Sequence, residues 1–360
     1  MKRFWSALRR RPIALASLVI LAILYVSMIF CEFLAPYGPN DQFANHSDQP
    51  PSLLLYSRTL GFRPQVQTLV LLNDYTREYA GLEGHYTPVD LFAIGPEVKL
   101  WNLVPIRHHL FGTTRYSNPQ AGEEPVFLFG TDNLGRDIFS RVLYGSRISL
   151  TIGFVGTTIS LLIALFLGGL AGYFGGPWDW IMMRLAEFII LIPGLYLILF
   201  LRSILSNNLN SGQSYAIITI ILSVVGWPGT ARMIRGMVHA IKRNDFVANA
   251  ELESMPPRAI LFQHIIPQMS SILIISVTLG IPGFILGETA LSYLGLGIVD
   301  PAVSWGSMIS RDATTITNLV QFPWLFTPGV FLIIIALAFN FLGELLRDVA
   351  DPNWRETRRG

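Results

Sequence analysis

Long uncharged apolar runs alternate with polar stretches along this chain, and the length of each run decides what it can span. A bilayer core about 30 Å thick takes about 20 helical residues. The first run, IALASLVILAILYVSMIFC, follows KRFWSALRRRP and predicts a transmembrane helix near residues 13–35. It is too long for a signal-peptide core, and no A-x-A cleavage site follows it. Between Ile148 and Pro177 there is no charge, which predicts a second span. Gly168 and Gly172, four apart within it, form a face on which another helix can approach closely. A third helix is expected over 179–205, with Pro193 inside it; neighbours can re-satisfy the carbonyl that a proline frees. After the break NNLNSGQ a fourth follows over 212–238, and a fifth over about 265–290, kinked at Pro282 and Gly283. The sixth is expected over 324–345. The pattern predicts an all-α membrane protein of six spans.

Residues 36–146 hold no run long enough to cross; QTLVLLN is far too short. Alternation in VDLFAI and EVKLWNLVPI predicts a small β-containing insert there. Basic residues favour the cytoplasmic side. The N-terminal arginines, the C-terminal GELLRDVADPNWRETRRG and a loop flanked by Arg232, Arg235, Lys242, Arg243 and Arg258 are therefore expected inside. This divides the chain into a cytoplasmic N-terminus with the first helix (1–35), an extracytoplasmic segment (36–146), a five-helix core (147–347) with a cytoplasmic loop (239–263), and a cytoplasmic tail (348–360).

Composition sharpens the reading. Hydrophobic residues make up 51% and charged residues 14% of the chain, against about a quarter charged in soluble domains. A net charge of +2 without a basic tract beyond the first dozen residues argues against nucleic acid. The lone cysteine, Cys31, excludes an internal disulfide and reads as a small buried apolar residue. Lys2, Lys99 and Lys242 are the only lysines, and none precedes Ser or Thr. A phosphate-binding loop ends in Lys-Ser/Thr, because the Lys holds phosphates and the hydroxyl holds Mg²⁺. The chain is thus expected to have no ATPase site and to bind no cofactor. A membrane protease, the enzymatic alternative, lacks a G-x-S-x-G or H-E-x-x-H string. A membrane-anchored receptor or scaffold is the other rival, and a docking loop on the inner face argues against it.

Several residues invite chemistry. Asp132 and Asp137 flank Gly135. The structural reading has Thr131 or Asp132 capping a short amphipathic helix and Asp137 paired with Arg141 four residues on. His46, His85, His108 and His109 show no metal-ligand spacing apart from the adjacent pair, whose side chains diverge on a strand. Glu187 is expected to pair with Arg184 at an inner edge. Glu288 has no basic neighbour in sequence, which leaves a translocation-path role and inter-helix hydrogen bonding both open. Trp305 reads as an interfacial aromatic anchor.

Three strings together carry a family resemblance: FGTDNLGRDIFSRVLYGSRISLTIG at 129–153, GWPGTARMIRGMVHAIKRNDFVANAELESMPPRAILFQHIIPQ at 226–268, and GETALSYLGLGIVDPAVSWGSMI at 287–309. They resemble the integral membrane permease subunit of peptide-type ABC importers, the DppC/OppC-like branch, loosely over 1–35 and closely over 127–352. The resemblance implies a type I importer fold in a bacterial inner membrane. It implies a heterodimer with a DppB/OppB-like permease, one or two ATPase subunits that use ATP and Mg²⁺, and an extracytoplasmic binding protein. Peptides are the implied cargo, with nickel or oligosaccharides as the alternative.

It also implies an ATPase-coupling helix built from Asp245, Phe246, Ala248, Asn249, Ala250, Glu251, Ser254, Pro256 and Pro257. Glu288 matches an acidic residue common in the family, and with Asp132, Arg136 and Asp137 it is a candidate for the translocation path or gate. The family pattern there is close to E-A-A-x-x-x-G. Here Ala248 stands at the Glu position, Asn249 at the first Ala, Ala250 at the second, and Ser254 at the Gly. Pro256 and Pro257 are expected to make the helix break that the glycine would otherwise make. The insert at about 40–126 exceeds the family minimum and reads as a rigid cap that seats the binding protein.

Overall fold

The computed structural model describes residues 2–57, 61–101, 103–113, 125–205, 210–312 and 315–350. In chain order the elements begin with α1 (Lys2–Arg10), α2 (Pro12–Ile29) and α3 (Cys31–Leu34). Six strands follow: β1 (Leu53–Ser57), β2 (Gly61–Asn73), β3 (Glu78–Leu91), β4 (Ile94–Leu100), β5 (Val104–His108) and β6 (Phe111–Thr113). Then come α4 (Ile138–Phe174), α5 (Gly176–Leu191), α6 (Gly194–Ile204), α7 (Ser211–Ile241) and α8 (Asp245–Leu252). The chain continues through α9 (Pro257–Ala259), a π-helical turn (Ile260–Ile265), α10 (Ile266–Gln268), α11 (Ser270–Tyr293), α12 (Trp305–Asp312) and α13 (Ile316–Gln321). A 3₁₀ turn (Pro323–Phe326) leads into α14 (Thr327–Ala350).

Among the described residues five stretches are long and apolar enough to span a membrane: α2, α4, α7, α11 and Pro323–Ala350. The α5–α6 pair makes a sixth if taken together, but it is bent by 93°. This corrects the expectation of one helix over 179–205. A residue before proline is pushed from the helical region, and Ile192 sits at φ −82°, ψ 125°. Pro193 itself lacks the N–H that would continue the ladder. Pro282, by contrast, lies inside a continuous α11. The second span also begins earlier than the uncharged run, at Ile138. Its 37 residues extend about 55 Å at 1.5 Å per residue, well beyond a bilayer core, so the charged first turns of α4 need no lipid.

The chain divides into two compact units. The first comprises Met1–Leu21, Leu150–Leu291 and Ile334–Gly360. Its core includes Ala164, Trp227, Ala231, Ile234, Val238, Val247, Ala250, Ile260 and Ile265. Here the two glycines of α4 do what their spacing predicts. A Cβ on Gly168 would lie 2.4 Å from the Ala231 carbonyl oxygen, and one on Gly172 would lie 2.6 Å from that of Arg235. Backbone therefore meets backbone where α4 crosses α7. Arg235 also holds Asp179 of α5 with two hydrogen bonds, one of 2.9 Å from Nε. Leu8 of α1 and Ala14 of α2 pack in one cluster with Leu345, and Arg11 pairs with Asp348 at 2.5 Å.

The second unit comprises Ala22–Ser149 and Ser292–Ile333. It holds an antiparallel sheet in the order β1-β2-β3-β6 and a separate β4–β5 hairpin, which is the β content the alternating strings predicted. Cys31 is fully buried. His109 is buried against the Ala35 carbonyl at 2.7 Å while its neighbour His108 is exposed, so the two rings do diverge. Trp305 departs from the interfacial role expected of it. It is completely buried, its indole N–H donates to the Val142 carbonyl at 3.0 Å, and it packs on Gly145.

Candidate functional site

The loop after α7 is built by local chain chemistry. Asp245 opens α8, where a carboxylate favours the helix N-terminus. Val247 and Ala250 turn into the core, while Phe246, Ala248, Asn249 and Leu252 face out. Phe246 is 37% exposed and Leu252 is 83% exposed. At the C-terminus the Ser254 N–H bonds the Glu251 carbonyl at 3.0 Å and the Met255 N–H bonds the Ala250 carbonyl at 3.1 Å. These two bonds form a Schellman motif, whose turning residue sits in the left-handed region usually taken by glycine. That residue is Ser254, at φ +60°. The expectation that prolines replace the glycine turn is thus corrected: the left-handed turn persists, with serine in it. Pro256, extended at ψ 142°, and Pro257 at the first turn of α9 then set the next helix. Glu251 accepts from the Tyr173 hydroxyl at 3.2 Å, and Lys242 reaches the Tyr173 carbonyl at 2.8 Å while standing over its ring. Sequence reasoning did not anticipate either contact, because Tyr173 is remote in the chain.

The GTDNLGRD string forms a turn that buries its charge. Gly130 and Gly135 have φ of +76° and +70°. A Cβ on Gly135 would lie 2.1 Å from the Phe43 carbonyl oxygen, and one on Gly130 would lie 2.5 Å from that of Gln49. Only glycine fits either place. Asp132 closes the turn by accepting the Leu134 and Arg136 N–H groups at 2.9 Å each. Its other oxygen meets Arg136 Nε at 2.6 Å and Arg141 Nε at 3.6 Å. All three side chains are at most 4% exposed.

The expected Asp137–Arg141 pair is therefore corrected to Asp132–Arg141. Asp137 is the residue that caps α4, a continuous long helix rather than a short one, through the Ser140 N–H at 2.8 Å and its hydroxyl at 2.6 Å. Thr131 has no part in that cap; it accepts from the Gln49 N–H and donates to the His46 carbonyl. Burial pushes the Asp137 carboxyl up to about 7, against the pull of Ser140. The cluster gains Asp312 from α12, also pushed up to about 7, by burial first and then by the Asp132 charge. Arg311 beside it pairs with Asp300 at 2.6 Å. Neither residue was singled out in the sequence, since only the fold brings them to the turn.

Asp132 and Arg136 are thus joined, Asp137 lies alongside, and Glu288 belongs to the other unit, in α11, where it is fully buried. The Arg184–Glu187 pair forms at 2.8 Å, exposed, as its spacing suggested. Among the described residues no three His, Cys, Asp or Glu side chains converge in a metal-binding group.

Comparison with known proteins completes the picture. Residues 164–356 match the family described as the binding-protein-dependent transport system inner membrane component. Residues 1–51 match the N-terminal transmembrane domain of oligopeptide transport permease C. The β insert and the GTDNLGRD turn fall between the two matches. The chain is 36% identical over 247 residues to the oligopeptide transport system permease protein OppC of Bacillus subtilis, covering 68% of this chain and 78% of that one. It is 37% identical to OppC of Haemophilus influenzae, over 64% of this chain and 72% of that one. It is 39% identical to the dipeptide transport system permease protein DppC of Bacillus subtilis, over 63% and 69%. With a family match over more than half its length and multiple spans of the right size, the chain belongs to the inner membrane components of binding-protein-dependent transport systems.

Proposed function

We infer that this chain is one of two homologous permease subunits of an ATP-driven peptide importer. Relatives named for oligopeptide and dipeptide transport support peptides over nickel or oligosaccharides. In this reading a second DppB/OppB-like permease completes the path, an extracytoplasmic binding protein delivers cargo, and one or two partner ATPases use ATP and Mg²⁺. Both termini and the 239–263 loop face the cytoplasm, and the β insert lies outside, where it seats the binding protein. This chain contributes no ATPase site and binds no cofactor.

The observation that carries the reading is the two-sidedness of α8. Val247 and Ala250 fix it to the core while Phe246 and Leu252 stand in solvent. A short helix held rigidly on one face and apolar on the other suits a groove on a partner that pushes. The familiar carboxylate is absent at Ala248, and Glu251 is occupied by Tyr173, so packing rather than ion pairing supports coupling. The turn at Asp132, Arg136 and Asp137 acts as scaffold for the base of α4, because none of its charges reaches solvent. Full burial of Glu288 favours hydrogen bonding between helices over lining the path.

The test is ATP-dependent peptide uptake by the complete complex in proteoliposomes. Phe246→Ala is expected to abolish substrate-stimulated ATP hydrolysis, since a Phe anchor packed in a groove is worth about 3–5 kcal/mol. Glu251→Gln is expected to leave most of it. Normal stimulation in Phe246→Ala together with loss in Glu251→Gln overturns the packing argument. Labelling of Asn249→Cys from the external face overturns the topology.

A further inference from the structure

The β4–β5 hairpin carries an apolar surface that the transport reading does not use. Leu91 and Phe92, just before it, are 73% and 60% exposed, and Ile94, Leu103 and Val104 are 67%, 81% and 54% exposed. Ile94 pairs with His108 at the open end of the hairpin, so the apolar side chains beside its turn are Leu103 and Val104. The hairpin turn is tight, closed by the Leu103 N–H on the Leu100 carbonyl at 2.9 Å.

Its position is fixed by hydrogen bonds to the end of a membrane span. Trp101, in the turn, donates its indole N–H to the carbonyl of Ile29, the last residue of α2, at 3.0 Å. Its backbone N–H donates to Glu32 at 3.1 Å. Glu32 also takes Arg147 bidentately at 2.7 and 2.8 Å, and the Arg147 guanidinium lies 3.8 Å from the Trp101 ring centre. The 18 residues of α2 rise about 27 Å, close to the thickness of a bilayer core, so a bilayer that α2 spans has its boundary near Ile29. The hairpin turn lies there with it. Beside the turn opens a cleft of about 450 Å³ whose lining includes Glu32, Lys99, Trp101, Tyr144 and Arg147. Lys99 is exposed and, among the described residues, has no carboxylate partner.

We propose that the β4–β5 hairpin is a membrane-surface anchor. Its turn places Trp101, Leu103 and Val104 in the bilayer leaflet that receives the end of α2, and Lys99, at the mouth of the cleft, meets the phosphate of an anionic phospholipid. The chemistry is that of interfacial segments in general: an amphipathic indole at headgroup depth, aliphatic side chains just below it, and a lysine at the phosphate. Continuity with α2 is what selects lipid over a protein occupant, since the patch begins where the span ends. The proposal needs α2 to be transmembrane; it does not depend on the cargo or on how the ATPase is coupled.

The test uses the full complex in nanodiscs whose lipids carry nitroxide on the acyl chain. Fluorophores are attached at Leu103→Cys and, as a control, at Tyr75→Cys in the β2–β3 turn. Both parent side chains are mostly or fully exposed, so neither change disturbs a core, and buried Cys31 does not compete for the label. The Leu103 label is expected to be quenched at least about twofold more than the Tyr75 label, as for a side chain seated in the headgroup and acyl boundary. Native mass spectrometry of complexes from phosphatidylcholine–phosphatidylglycerol discs reads the second half. Lys99→Gln is expected to lower the preference for phosphatidylglycerol about fivefold, the effect of one lysine at a charged surface. Equal quenching at the two positions overturns the anchor. A Leu103 label shielded from aqueous iodide yet unquenched by lipid nitroxide overturns it too, and assigns the patch to a protein partner. Unchanged phosphatidylglycerol retention in Lys99→Gln overturns the headgroup site.

Discussion

Asp132→Ala tests whether burial or distance sets the strength of an ion pair in this protein. Asp132 meets Arg136 at 2.6 Å, and Arg63 meets Asp90 at 2.5 Å, so geometry alone makes the two pairs equal. Their surroundings differ. The first pair is 4% and 0% exposed, the second 50% and 26%. An exposed pair is worth about 0–1 kcal/mol because water and salt screen it. Removing one partner of a buried pair costs about 3–5 kcal/mol, since the other charge stays desolvated and unmatched. Asp132→Ala strands Arg136 and Arg141 together and also orphans the Leu134 and Arg136 N–H groups, which puts it at the upper end of that range. At about 2 °C per kcal/mol for a chain of this size, the melting temperature of the detergent-solubilised complex should fall by about 8–10 °C. Asp90→Ala should shift it by no more than about 2 °C. Adding Arg136→Met to Asp132→Ala should recover part of the loss, because an apolar replacement relieves one stranded charge. If Asp132→Ala and Asp90→Ala melt alike, the burial argument is refuted.

Ser254→Gly should tighten the end of α8, because glycine takes φ +60° without the cost that a side chain incurs there. A net gain of about 0.5–1 kcal/mol, after glycine's larger unfolded-state entropy, should slow hydrogen exchange at the Met255 amide about two- to fivefold, and unchanged exchange argues against the strained turn. Gly172→Val should destabilise by about 1–3 kcal/mol through overpacking against the Arg235 backbone, seen as a lower melting temperature; a neutral result means that α4 and α7 can separate freely. Asp312 has a carboxyl raised from 3.8 to about 7 by burial and by Asp132, with Arg141, Arg136 and Arg311 opposing. The folded state therefore keeps a proton that the unfolded chain releases, and this group's contribution to stability falls as pH rises from about 4 to about 7. Asp312→Asn should flatten the fall in melting temperature between those values, and an unchanged slope excludes Asp312 as its source.

The spans were legible because lipid demands long uncharged runs, and the glycines of α4 because close approach permits little else. The start of α4 was not. Arg141 and Arg147 interrupt the apolar pattern there, and only the fold shows that Asp132 and Glu32 receive them. Spacing suggested Asp137 as the partner of Arg141, but the helix N-terminus claims Asp137 first, through Ser140. Trp305 had the composition of an interfacial anchor, and a buried carbonyl at Val142 gave its indole an interior partner instead. At Ser254 the expected proline break gave way to a left-handed turn, because local hydrogen bonds hold the serine in it. Spacing alone found the Arg184–Glu187 pair, but where two partners compete for one group, near as at Asp137 or far as at Arg141, only the fold decides.

The break at Pro193 has a consequence for permeability. Pro193 offers no N–H, and α6 begins with Gly194. The Ile192 N–H still reaches Ile189 and the Leu197 N–H reaches Pro193, but the helical ladder is interrupted between them. Carbonyls just before the bend and amides just after it lack their usual partners within the helix. Hydrocarbon cannot solvate such groups; water or another polypeptide must. Among the candidate spans of the described residues, this pair is the one bent by more than 40° at a break. Unless the surrounding chains seal the bend, its unpaired backbone groups draw water, and with water an ion leak, into the bilayer.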